Sequence, residues 1–223
     1  MIRGLHLKPA VLLIAFAFNL LTSGCSRIVM GIYGIKSQPV PMSEKQLIAQ
    51  ASKWNIPDTL IYELDAIKQH KFFFPTDSLV AAYNSGNSNP NINDYLQPMQ
   101  ACYYDSTGKL ISWFINCYAG GFPNLKWNKT RAFDQSFPPM PTMAPPDTLQ
   151  NLNQQLSLFI PVGKSVIDSS THATYNVVVY WSKTFGRQSK RLVKLVNKNL
   201  KLGHGKNIHL YYVNGDNGMC RFE

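Results

Sequence analysis

The amino-acid sequence predicts a mixed α/β fold in which an N-terminal α+β region and a C-terminal β-α-β unit share one sheet. Three stretches carry that expectation. Residues 101–104 and 110–115 are apolar and aromatic runs on either side of Asp105-Ser106-Thr107-Gly108-Lys109, the pattern of a β-hairpin. Residues 175–181 form a continuous β-branched and aromatic run, as in a strand buried on both faces, and 208–213 form another. Between these two, Arg187 to Leu202 has helical spacing and is stopped by Gly203, so the crossover should be right-handed and the strands parallel.

From the N-terminus, Arg3 and Lys8 precede an uncharged stretch from Pro9 to Ser26 whose apolar heart is Ala10 to Phe18. That is a signal-peptide pattern. Asn19 and Thr22-Ser23-Gly24 leave it short of the roughly 20 apolar residues of a spanning helix. Leu21-Thr22-Ser23-Gly24-Cys25 resembles the lipobox of bacterial lipoproteins, with small residues for the peptidase cleft and then an acylatable thiol. The alternative is an ordinary secretory signal with Cys25 as a structural thiol. The resemblance implies a thiol carrying diacylglycerol and an amine carrying a further acyl chain such as palmitate. Several chains at one residue anchor stably where one holds only marginally. Ser26 stands where, in the Gram-negative sorting scheme, an Asp favours the inner membrane, so the resemblance favours an outer-membrane address with periplasmic orientation.

Removal of residues 1–24 leaves 199 of the 223 residues, enough for a real hydrophobic core in one large domain or two small ones. It takes Arg3 and Lys8 from the 22 basic residues and none of the 12 acidic ones, so the mature balance is about +8. This favours anionic surroundings: lipid headgroups or an envelope protein, with nucleic acid the least suited partner of an exported chain. Besides Cys25 there are Cys102, Cys117 and Cys220. One disulfide and one free thiol is the simplest arithmetic in an oxidising compartment. A hairpin centred on Thr107 sets Cys102 near Ser112, so a Cys102–Cys117 bridge needs a bulge or a different turn; buried free thiols are the alternative.

A tether spans residues 25–42, and the N-terminal α+β region 43–135. Ser43-Glu44-Lys45-Gln46 reads as a capping box, and Leu47, Ile48, Ala51 and Trp54 share one helix face before Pro57. Residues 59–74 suit helix or strand, and 84–94 a loop. After the hairpin, Asn116 to Asn128 mixes aromatics, glycines and amides. Tyr118, Gly120, Gly121, Phe122 and Trp127 there are candidates for a recognition loop; the alternative is that Gly120-Gly121 turns the chain while Phe122, Leu125 and Trp127 close over the core. The sequon Asn128-Lys129-Thr130 is discounted in a bacterial chain. Pro138, Pro139, Pro141, Pro145 and Pro146 make 136–146 an extended connector. A helix is expected from Asp147, with Gln150 in its cap and Leu149, Leu152, Leu156 and Phe159 as its stripe.

Within 147–223, the unit from Tyr175 to Asn214 resembles the thioredoxin superfamily, in which a strand ends in an aromatic pair, a short active-site turn follows, and a helix runs back under the sheet. In that family the turn holds two cysteines. Here it reads Ser182 to Ser189 without one: following Trp181, Phe185 or Gly186 stands in place of the nucleophile, Arg187 follows, and Gln188 or Ser189 replaces the resolving thiol. Dithiol chemistry at this turn is excluded. The family also places a cis-proline and a hairpin after this unit, whereas this chain ends ten residues beyond Val213 without a proline. The hairpin at 101–115 replaces it from upstream, or the fold is thioredoxin-like only in part.

Arg187, Lys190, Arg191, Lys194, Lys198 and Lys201 fall within about 100° of helical arc, opposite Leu192, Val193, Val196 and Leu200. The basic face is either a solvated face or an anionic docking surface on headgroups or a partner protein. His70, His172, His204 and His209 lack metal-ligand spacing, so neither metal nor cofactor is expected. Asp216 follows a strand, a position that suits a catalytic acid, although turn acids are more often solvated. The sequence thus favours a membrane-anchored envelope lipoprotein, a redox-inactive binding or assembly module, over a thiol-disulfide or peroxide enzyme using Cys117.

Overall fold

The computed structural model describes residues 30–36, 38–73, 94–140, 151–167 and 173–219. The lipobox with Cys25, most of the 84–94 loop, Pro141, Pro145, Pro146, Asp147, Leu149, Gln150, His172 and Cys220 lie outside the described residues.

Six strands form one mixed sheet: β1 (Ile61–Leu64), β2 (Gln100–Asp105), β3 (Leu110–Ile115), β4 (Phe159–Pro161), β5 (Tyr175–Trp181) and β6 (Ile208–Asn214), in the spatial order β3-β2-β5-β6-β1-β4. β5, β6 and β1 are parallel, and the hairpin joins through β2, antiparallel to β5. Strands from both sides of the proline connector therefore share the sheet. The stretch 59–74 that suited helix or strand is both, β1 followed by a helix at Ala66–Phe73.

Alternation along β5 explains why it is central. Val177, Val179 and Trp181 enter one core while Val178 and Tyr180 enter the other, so polar residues would be buried on either face. The first core lies under α1 (Glu44–Ser52), and the second under the Ala66–Phe73 helix, α2. α1 starts at the Ser43 capping box, as its sequence predicts, but ends before Trp54, whose ring meets Trp181 edge-on at 5.0 Å.

The hairpin turn is held by Asp105, whose carboxylate accepts hydrogen bonds from the Thr107 hydroxyl and the Thr107 and Lys109 amides. Beside the turn Tyr104 faces Leu110, but a bulge after Tyr103 shifts the register by one, so Cys102 faces Trp113 rather than Ser112. Cys102 is buried and Cys117 exposed on the short α3 (Asn116–Ala119); both are free thiols, so the bridge between them is not formed.

Two further short helices are α4 (Ala132–Gln135) and α5 (Leu152–Ser157). The α5 cap is Asn151 with Gln154, whose side chains and amides bond reciprocally, and Phe159 lies in β4 rather than on the helix stripe. The same cap chemistry expected at Asp147 is thus supplied four residues later. The helix between β5 and β6 is α6 (Gly186–Leu200), continued by a 3-10 turn to Gly203. It packs Leu192, Val193 and Val196, all 0% exposed, on the first core, a burial worth about 1.5–3 kcal/mol for each side chain.

The first part of the connector is tied to the sheet. Phe137 packs between Tyr103 and Tyr175, the Ser112 hydroxyl donates to the Pro139 carbonyl at 2.6 Å, and Lys206 caps the cluster from above the Tyr175 and Phe137 rings.

Candidate functional site

Two regions singled out in the sequence, the loop after the hairpin and the basic helix face, meet in one groove. Gly120 and Gly121 both have positive φ, 63° and 72°, and let the chain reverse so that the Lys126 amide donates to the Gly120 carbonyl. A side chain at Gly121 would also meet the Asn124 carbonyl at 3.0 Å, so the loop depends on glycine there. The reversal sends Leu125 and Trp127 inward, 2% and 5% exposed, and leaves Lys126 and Lys129 outside. Arg191 of α6 donates to the Asn124 side chain and thereby fastens the helix to the loop.

The groove between them has a volume of about 650 Å³. Leu125, Trp127 and Leu195 form its apolar part, and Lys126, Lys129, Arg191, Lys194 and Lys198 bring five cations to it. Among the described residues, no acidic side chain lines it. Asp134, at the rim, pairs with Lys198 at 2.8 Å and takes a second bond from Asn128, which hold its carboxyl below the usual carboxylate range. Among the described residues, no acid pairs with Lys126, Lys129, Lys190 or Lys194. An apolar floor inside a ring of lysine and arginine suits an amphiphile or surface bearing phosphate or carboxylate groups.

Of the loop candidates, Trp127 lines the groove and Gly120 and Gly121 shape it. Phe122 does not close over the core: it is 59% exposed, and Tyr118, 45% exposed, donates to Asp94. Of the basic face, Arg191, Lys194 and Lys198 reach the groove. Lys190 and Lys201 are exposed outside it, and Arg187 is turned to the N-terminal segment, donating to the Ile32 carbonyl at 2.6 Å. Sequence reasoning passed over Lys126, Lys129 and Leu195. The lysines were legible as a pair three apart flanking Trp127, but only the fold shows that they face α6.

The cysteine-free turn from Ser182 to Ser189, after β5, is held by a polar clamp. Asp216, at the start of α7 (Asp216–Met219), is 0% exposed rather than solvated. Its carboxylate accepts from the Ser182 hydroxyl at 2.5 Å, the Thr184 hydroxyl at 2.9 Å, the Lys183 and Thr184 amides at 2.6 and 3.2 Å, and the Asn214 amide group at 2.8 Å. The Ser189 hydroxyl accepts from the Ser182 amide. Gln188 is 1% exposed and, among the described residues, neither of its amide atoms is bonded; Phe185 packs on the first core, and a Cβ added to Gly186, which starts α6, would stand 3.1 Å from the Gly34 carbonyl. These residues fix the backbone between β5 and α6 and offer no free nucleophile.

Burial pushes the Cys102 thiol far up, and partial burial beside the Asp94 carboxylate raises Cys117 as well. Among the described residues, no group of three or more His, Cys, Asp or Glu side chains is placed to hold a metal ion, and no helix is long and apolar enough to cross a membrane. No protein-family model, curated protein or solved structure matches this chain.

Proposed function

We propose that this protein is an exported cell-envelope lipoprotein, held on a membrane by acylation of Cys25, that acts as a redox-inactive thioredoxin-like binding or assembly module. The observation that carries the binding role is the groove, where the glycine loop and the basic face of α6 converge on an apolar floor ringed by five cations. The turn that would hold a dithiol in the thioredoxin superfamily is cysteine-free and locked on Asp216. The upstream hairpin stands beside β5, which supports the thioredoxin-like reading of the β5-α6-β6 unit.

The exposure of Cys117 favours the rival reading of a thiol enzyme. Its surroundings argue against it: Cys117 is in the first turn of α3, but that helix is a single turn of four residues, and partial burial beside the Asp94 carboxylate raises the thiol rather than lowering it. Intact mass with thiol alkylation, before and after reduction, on protein extracted from its native membrane tests both. An acylated Cys25 with slow remaining thiols supports the anchored module. Rapid alkylation of Cys117 at neutral pH supports the enzyme, and an unacylated product removes the anchor.

A further inference from the structure

We infer that the occupant of the groove is the anionic headgroup layer of the membrane that carries the anchor, so that α6 and the glycine loop form a membrane-docking face. The inference deepens the anchored-module reading and rests on it. Three observations point the same way. First, the chain leaves the fold along the docking helix: Arg187 bonds the Ile32 carbonyl, Gly34 lies against the Arg187 backbone and side chain, and the Lys36 amide donates to the Thr184 carbonyl. Cys25 is seven residues from Ile32, a reach of at most about 25 Å, so the start of α6 stays close to the bilayer surface.

Second, the basic stripe runs from that tethered end along the 15 residues of α6, about 22 Å, and is extended sideways by Lys126 and Lys129. Third, exposed apolar groups border it. Ile32 at 57% stands beside Arg187, and Phe122 at 59% sits on the loop that Asn124 bonds to Arg191. Cations with aromatic and aliphatic side chains at their edge are the composition of an interfacial face.

Headgroups are favoured over an acidic protein by proximity. A face tethered within about 25 Å of a lipid surface meets it at high effective concentration, and each basic residue near an anionic surface multiplies the docked-to-free ratio by roughly fivefold. The attraction decays within the Debye length, about 8 Å at physiological salt, so it acts on these residues and is screened by added salt.

The test uses mature protein reconstituted in vesicles of phosphatidylcholine alone or with phosphatidylglycerol, with lysine acetylation mapped by mass spectrometry. Lys126, Lys129, Lys190 and Lys194 should react at least fivefold more slowly on the anionic vesicles at low salt, with the difference lost near 1 M salt, while Lys109 on the hairpin turn is unchanged. The double variant Lys190→Glu/Lys194→Glu, altered only at exposed positions, should lose the protection of Lys126 and Lys129. Equal rates on both vesicles, or protection that salt does not remove, overturn the inference and leave an acidic envelope protein as the occupant. Intact mass of the same sample reports the anchor separately. Should Cys25 prove unacylated, cosedimentation with phosphatidylglycerol vesicles decides: salt-sensitive binding supports headgroup docking without an anchor, and absence of binding overturns it.

Discussion

Replacing Asp216 with alanine removes one acceptor group from five donors at once. Two of them, the Lys183 amide and the Asn214 side chain, meet the same carboxylate oxygen at 2.6 and 2.8 Å. The Ser182 hydroxyl can turn to another acceptor, and the Thr184 amide keeps its bond to the Ser182 oxygen at 3.0 Å. The Thr184 hydroxyl turns likewise, which leaves about two donors stranded, the part-buried Lys183 amide and one N–H of the buried Asn214 side chain, at about 1–3 kcal/mol each. The sum, about 2–6 kcal/mol, spans the usual cost of breaking a buried charged network. For a chain of this size each kcal/mol moves the midpoint by about 2–4 °C, so Asp216→Ala should melt roughly 5–20 °C lower by circular dichroism. Asp216→Asn should recover less than half of that loss, because its NH2 must face either the Lys183 N–H and the Asn214 NH2 or the Thr184 N–H, donor against donor. A melting point within about 2 °C of the parent protein would refute the clamp.

Three further outcomes follow from the same geometry. Gln188→Met removes two unbonded polar atoms while nearly conserving volume, and should stabilise the fold by about 1–2 kcal/mol, read as a higher urea midpoint at unchanged m-value. Gly121→Ala combines a positive φ with a 3.0 Å approach to the Asn124 carbonyl, so it should cost about 1–3 kcal/mol and speed hydrogen exchange at the Lys126 amide, with the melting of the sheet core changed less. In thiol titration, Cys117 should react slowly at pH 7 and accelerate as pH rises toward its raised value, since alkali forms the thiolate; Asp94→Asn should make it faster at pH 8, and Cys102 should react only on unfolding.

The hairpin, the β5-α6-β6 unit and the Ser43 cap were legible because each is written in local chemistry. Asp105 closes its own turn, the Val177–Trp181 part of β5 needs apolar residues at every position to be buried on both faces, and the capping box is satisfied within four residues. The basic face was legible for the same reason, since helical periodicity alone lines up Arg187, Lys194 and Lys198. The described helix starts later than expected because Asn151-Gln154 carries cap chemistry of its own, and Phe159 has the spacing of the helix stripe while it pairs with Leu64 in the sheet.

Local pattern could not decide what depends on chain crossings between distant residues. Asp216 lies 34 residues from Ser182, and only the parallel pairing of β5 with β6 carries it under the turn. Lys126 and Lys129 reach the cations of α6 because the glycine loop folds over that helix and Asn124 bonds to Arg191 across 67 positions. By itself the sequence determined the α/β elements, the cysteine-free turn and the surplus of positive charge. Which charges share a groove, and which acid is buried, were decided by the tertiary structure, because hydrogen bonds and Coulomb forces act over a few ångströms and are blind to separation along the chain.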